Sequence, residues 1–155
     1  MKTARIAAVP GVADAQALIR ARGERLTLPR AAVLAVLLGS DAALSHHEVE
    51  AALRSAVSVD RVTVYRVLEW LVETSLAHRV AGEDRTWRFG ATPHPGGSPH
   101  AHFTCTRCGH TVCLASVGVP KHIRVPAGFR AEALELTVRG RCARCSGATR
   151  PTAAA

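Results

Sequence analysis

Apolar residues recur at helical spacing through the first part of the chain and switch to alternation from Leu76 onward. Val12 to Arg22 reads as a first helix. Thr27-Leu28-Pro29-Arg30 opens a second: Thr27 can cap it, and Pro29 falls in the first turn, where its missing N–H costs nothing. Val33, Leu34, Leu37 and Leu38 then form one apolar face that stops at Gly39. Ser45-His46-His47-Glu48 is a capping box ahead of Val49, Ala52 and Leu53. Asp60 caps a fourth helix, with Val64, Val67, Leu68 and Leu71 inward and Arg61, Thr63 and Arg66 outward. Its start is rich in β-branched residues, so a strand competes over Val57 to Val67; the spacing carried on through Leu68 and Leu71 favours helix. Leu76 to Val80 and Arg85 to Phe89 alternate on either side of Gly82-Glu83-Asp84 and predict a β-hairpin. Helices followed by a hairpin is the order of a winged helix. In that fold the last helix can enter the major groove and the hairpin can lie along the DNA backbone.

The pattern breaks at Ala91 to Pro99, where three prolines and two glycines in nine residues can continue neither helix nor strand. The expected organisation is α+β. A tail at 1–10 precedes a winged-helix domain at 11–90 and a hinge at 91–99. A small α/β domain at 100–147, built around a metal site, and a tail at 148–155 complete it. A chain of 155 residues can bury one ordinary core or two small modules, and its hydrophobic fraction of 48% excludes a mostly disordered protein. No apolar run is long enough to span a bilayer, and Met1 to Pro10 is too short in apolar residues for an export signal. The expected compartment is the cytoplasm, where thiols stay reduced.

Net charge is +8, which points to an anionic partner such as nucleic acid. Eighteen of the twenty basic residues are Arg, however, a bias that a GC-rich genome alone could produce. The first 90 residues hold 12 basic and 10 acidic side chains, and the remainder 8 and 2, so the excess is C-terminal. Four zinc-bound thiolates would cancel part of it. Charge permits DNA binding without establishing it.

Four of the five cysteines form two Cys-x-x-Cys pairs, Cys105 with Cys108 and Cys142 with Cys145, separated by 33 residues. Each pair can present both sulfurs to one metal from a single tight turn. Two such knuckles complete the closed tetrahedron of a structural Zn²⁺ site, one per subunit. The competing reading is two disulfides, which the expected compartment disfavours.

Several segments together resemble the ferric uptake regulator (Fur) superfamily. They are Leu28-Pro29-Arg30, Thr63-Val64-Tyr65-Arg66-Val67-Leu68, His100-Ala101-His102-Phe103-Thr104-Cys105-Thr106-Arg107-Cys108-Gly109, and Gly140-Arg141-Cys142-Ala143-Arg144-Cys145. The resemblance covers about residues 11–147 and implies a homodimeric, metal-dependent transcriptional repressor of AT-rich inverted repeats in double-stranded DNA. Carried over, Tyr65 and Arg66 are the base-reading pair of the recognition helix, with Thr63 beside them; Arg61 and Arg30 become backbone or minor-groove contacts. An Arg fork suits a purine edge and a Tyr ring suits a thymine methyl.

The resemblance also implies a second, regulatory metal site. Its ligands would be His78 on the wing, His100 and His102 ahead of the first knuckle, and Cys113 five positions beyond Cys108, with His94 in the hinge as a further candidate. Family members usually have Glu where Cys113 stands, and zinc-sensing ones often have a cysteine at the end of the wing, here Phe89-Gly90. A shell of sulfur and imidazole suits Zn²⁺ better than Fe²⁺ or Mn²⁺, so the expected branch is zinc uptake regulation (Zur), with an iron-responsive repressor as the alternative. A peroxide sensor wants an aspartate in the His-rich site, where this chain has Ala101. His46 and His47 read as solvated, and His110 and His122 lack the carboxylates of a third site. A zinc enzyme is not expected: four cysteines leave no open coordination position, and no general base lies near the motif.

Overall fold

The computed structural model describes residues 11–54, 56–82, 85–92, 101–114, 117–118, 120, 123–132 and 134–147. In chain order the elements are α1 (Val12–Ala21), α2 (Leu28–Leu38), β1 (Leu44–Ser45), α3 (His46–Leu53), α4 (Arg61–Glu73), β2 (Ala77–Ala81), β3 (Trp87–Ala91), β4 (Ala101–Cys105), β5 (Thr111–Leu114), β6 (Leu136–Gly140) and α5 (Ala143–Ser146).

The N-terminal core is organised around α2, whose Ala31, Ala32, Val33, Leu34, Ala35 and Leu37 are all buried. A helix apolar on nearly every side must be enclosed. It is packed by α1, α3, α4 and the wing strand β3. Leu34, Leu37, Leu68 and Leu71 are at most 1% exposed, each contributing about 1.5–3 kcal/mol by leaving water. Thr27 caps α2 through the Arg30 N–H. At α3 the capping box closes in both directions: Ser45 Oγ accepts from Glu48 N at 3.3 Å, and Glu48 Oε2 accepts from Ser45 N at 2.7 Å.

The β-branched stretch after Asp60 is helical. Asp60 accepts the Thr63 N–H at 2.9 Å, and Val64, Val67, Leu68 and Leu71 are buried in the common core. Tertiary burial of that face outweighs the modest intrinsic preference of Val and Thr for strands.

β2 and β3 form the antiparallel hairpin, with His78 opposite Gly90 and Val80 opposite Arg88. The strands sit one to two residues later than the alternation predicts, because pairing continues to the end of the hairpin. Ala91 still pairs with Ala77, and Thr92 N donates to Leu76 O at 3.0 Å. Ala91 is therefore wing rather than hinge, and residues 93–99 of the expected hinge lie outside the described residues. The two-residue β1, too short to read from alternation, adds on the far side of β3 and gives the order β1-β3-β2.

The second sheet has the order β5-β4-β6, with β4 antiparallel to β5 and parallel to β6. Among the described residues, no helix lies between β5 and β6. The two sheets are joined at one corner, where Ala43 N donates to Thr111 O at 2.8 Å. There, too, Arg88 hydrogen-bonds Glu48 at 2.9 Å while its guanidinium lies close to Gly109 of the first knuckle. No helix among the described residues is long and apolar enough to cross a membrane.

Candidate metal centres and nucleic acid interface

The four knuckle cysteines converge: the Sγ atoms of Cys105, Cys108, Cys142 and Cys145 all lie within 4.8 Å of one another. The first turn closes because Gly109 adopts φ 71° and donates its N–H to Cys105 O at 2.9 Å; that left-handed backbone favours glycine. The second knuckle is formed by Cys142 and the one-turn helix α5, with Cys142 at the N-cap position. Cys108 and Cys142 sulfurs are 3.7 Å apart. That is far beyond a disulfide's roughly 2.05 Å and close to the ~3.8 Å of two sulfurs on a tetrahedral zinc with bonds of about 2.3 Å. The Cys142 backbone N–H, 3.3 Å from Cys105 Sγ, draws the Cys105 thiol down to about 6. A hydrogen bond with Cys108, followed by burial, pushes Cys145 up to about 12, and the Arg144 guanidinium beside Cys108 is itself held more firmly charged. Four sulfur donors brought to one point form the closed set that a divalent cation can bridge.

A second group assembles across the corner. His78 from β2, His102 from β4 and Cys113 from β5 bring their ligand atoms within 4.8 Å of one another. His102 and Cys113 are direct partners in the β4–β5 register, so their side chains leave the same face side by side. His78 arrives from the wing, its Nε2 3.4 Å from Cys113 Sγ and its ring centroid 5.0 Å from that of His102. A nitrogen and a sulfur on one tetrahedral zinc stand about 3.6 Å apart, from bonds of about 2.0–2.1 and 2.3 Å. The donor set and its spacing therefore fit a zinc ion. Burial pushes the Cys113 thiol up, so loading a cation there must displace a proton. His94, His100 and His122 lie outside the described residues, and His110 is exposed and belongs to neither group.

On α4, Arg61, Val62, Tyr65 and Arg66 are exposed, with Val62 60% and Tyr65 51% accessible. An exposed aromatic and two exposed Arg on one helix is a surface suited to a groove edge. Thr63, expected beside the base-reading pair, donates its hydroxyl to Asp60 Oδ2 at 2.5 Å in the helix cap. Arg30 also makes contacts within the fold. Its guanidinium stacks over Trp70 at 3.7 Å and donates to Arg25 O at 2.7 Å, which engages it with the fold. His46, expected to be solvated, is half-buried: Nε2 lies 3.2 Å from Arg61 O and the ring 5.9 Å from that of Tyr65. Its position just after an N-cap gave no hint of this, because only packing brings the starts of α3 and α4 together. His47 does face solvent, near Glu50.

Residues 21–138 match the ferric uptake regulator family. The chain belongs to that family. As a Fur-family protein it is a metal-responsive, DNA-binding transcription regulator and not an enzyme. Solved structures share its α+β fold. A zinc uptake regulator complexed with zinc and DNA is 24% identical with a TM-score of 0.63, over 88% of this chain and 93% of that one. Holo XcZur is 26% identical with a TM-score of 0.60, over 88% and 96%. The Helicobacter pylori ferric uptake regulator, described with three functional metal binding sites, is 17% identical with a TM-score of 0.59, over 88% and 92%. No curated protein matches the chain.

Proposed function

We propose that this Fur-family chain is a zinc-sensing transcriptional repressor that acts as a homodimer on AT-rich inverted repeats. The observation that carries the zinc assignment is the convergence of His78, His102 and Cys113, one thiol and two imidazoles, with no carboxylate in the group among the described residues. Sulfur and imidazole select Zn²⁺ over metals that favour oxygen. Cys105, Cys108, Cys142 and Cys145 would hold a permanent structural zinc, and His78, His102 and Cys113, with His100 as a further donor, an exchangeable one. Bound in the second group, zinc supplies a crosslink between the wing and the β4–β5 pair. The protein's own part is to bring three donors from two sheets to one point, so that occupancy favours the arrangement in which they meet. Arg61, Tyr65 and Arg66 then address DNA, Tyr65 and Arg66 reading bases and Arg61 the phosphates. Exposed Phe129, Ile123, Val125 and Val138 in and before β6 supply apolar surface for a second copy.

The test is metal analysis paired with a gel shift on promoter fragments carrying AT-rich inverted repeats, across buffered free zinc and iron. Two zincs per subunit, one removed by mild chelation together with DNA binding and restored by zinc alone, is the expected result. Full restoration by Fe²⁺ or Mn²⁺ would overturn the zinc assignment in favour of an iron-type regulator.

A further inference from the structure

The residue opposite His78 in the wing is Gly90. A Cβ built there would stand 2.9 Å from His78 Cε1 and 3.1 Å from Nε2, while its next neighbour, Ala43 Cβ, is an ordinary 3.8 Å away. The His78 imidazole thus occupies the volume that any other residue at 90 would fill. Gly90 is buried, so a side chain could not turn out to solvent. No positive φ is recorded at this position, so the glycine is not required by the backbone. Space is what it provides.

We infer that Gly90 is a positioning residue for the candidate regulatory metal centre, holding open the slot in which His78 meets Cys113 and His102. The inference rests on the zinc-site reading above. The direction of strain decides who yields. The atoms in conflict are the far end of a side chain with two rotatable bonds, not backbone, so the imidazole swings away and the hairpin survives. That same swing moves Nε2, now 3.4 Å from Cys113 Sγ. Displacement of one donor by an ångström or so removes it from a shell whose bond lengths are fixed within about 0.2 Å. Gly90 therefore acts on metal affinity while touching no metal, and a methyl group at this position detunes the site with little cost to the fold.

The experiment measures Zn²⁺ affinity of the exchangeable site by competition with a chromophoric chelator. The full chains compared are wild type, Gly90→Ala, His78→Ala and the double variant, with Co²⁺ absorption as a second probe and a denaturant melt of each metal-stripped protein. The expected result is a loss of at least tenfold for Gly90→Ala with its melt unchanged. The cobalt ligand-field bands should be altered while the thiolate-to-cobalt band from Cys113 is kept. The double variant should bind no more weakly than His78→Ala, since the glycine acts only through that imidazole. Wild-type affinity in Gly90→Ala overturns the inference, as does an equal further loss on the His78→Ala background. His78→Ala binding as tightly as wild type overturns the metal-site reading itself and the inference with it. That failure is recognised without reference to the glycine variants.

Discussion

Cys113 is the residue on which the proposed zinc sensing turns, and Cys113→Ser tests it quantitatively. The substitution keeps the size of the side chain and replaces a sulfur 3.4 Å from His78 Nε2 with a harder oxygen that stays protonated near neutral pH. Two imidazoles remain of the three assembled donors. Loss of an outer partner to a ligand typically costs about 10–100-fold in metal affinity, and loss of a ligand should cost at least the upper end, about 100-fold. A ligand that binds only the folded state stabilises it by RT ln(1 + [L]/Kd). At a free zinc concentration about 100 times the wild-type Kd, the wild-type gain is about 2.7 kcal/mol. The variant, with Kd near the free concentration, gains about 0.4 kcal/mol by the same relation. Urea melts at buffered free zinc should therefore separate the two proteins by about 2 kcal/mol, and melts after mild chelation should superimpose. The four-cysteine site is common to both and cancels. Equal zinc-dependent stabilisation of variant and wild type would show that Cys113 is merely packed, and the ligand set would be wrong.

Three further outcomes are expected. Glu48→Ala removes one half of the capping box and a partner of Arg88, whose side chain is only 13% exposed, and should cost about 1–2 kcal/mol in a urea melt. Burial pushes the Glu48 carboxyl up, but the Ser45 and Arg88 donors outweigh it and hold the group below its ordinary 4.5. This contribution is therefore complete above pH about 4.5 and lost as pH falls through the lowered value, so the gap between wild type and variant should close in acid. Phe89→Ala empties a site that is 2% exposed under the wing and should cost about 3–5 kcal/mol by thermal or chemical melt. Arg66→Ala, on the exposed face of α4, should weaken operator binding by about 1–3 kcal/mol if the fork reads a base. If it meets only phosphate, the loss should be uniform across sequences, with the salt slope reduced by about 1.

Much of the N-terminal domain was legible in the sequence because local physics wrote it. Thr27, Ser45 and Asp60 cap α2, α3 and α4 as their residue types and spacing predict. The strand boundaries were less so: hairpin register depends on what each strand pairs with, and β1 is visible only as a neighbour of β3. Individual surface roles were least legible. Arg30 could not announce Trp70 as its stacking partner, nor His46 its place beside Tyr65, since each contact joins residues distant in the chain.

The sequence by itself pointed to the four-sulfur site, since each Cys-x-x-Cys turn can present both sulfurs to one metal; the parallel β4–β6 pairing, with Cys105 opposite Gly140, brings the two turns together. His78 and Cys113, 35 residues apart, were candidates by resemblance alone. Tertiary structure made them neighbours. The β4–β5 register sets Cys113 beside His102, the Ala43–Thr111 hydrogen bond seats the wing against that sheet, and the bare backbone of Gly90 leaves His78 room to reach across. Such a constellation has no period or spacing in the chain, since the physical fact it depends on is how two separately specified sheets pack.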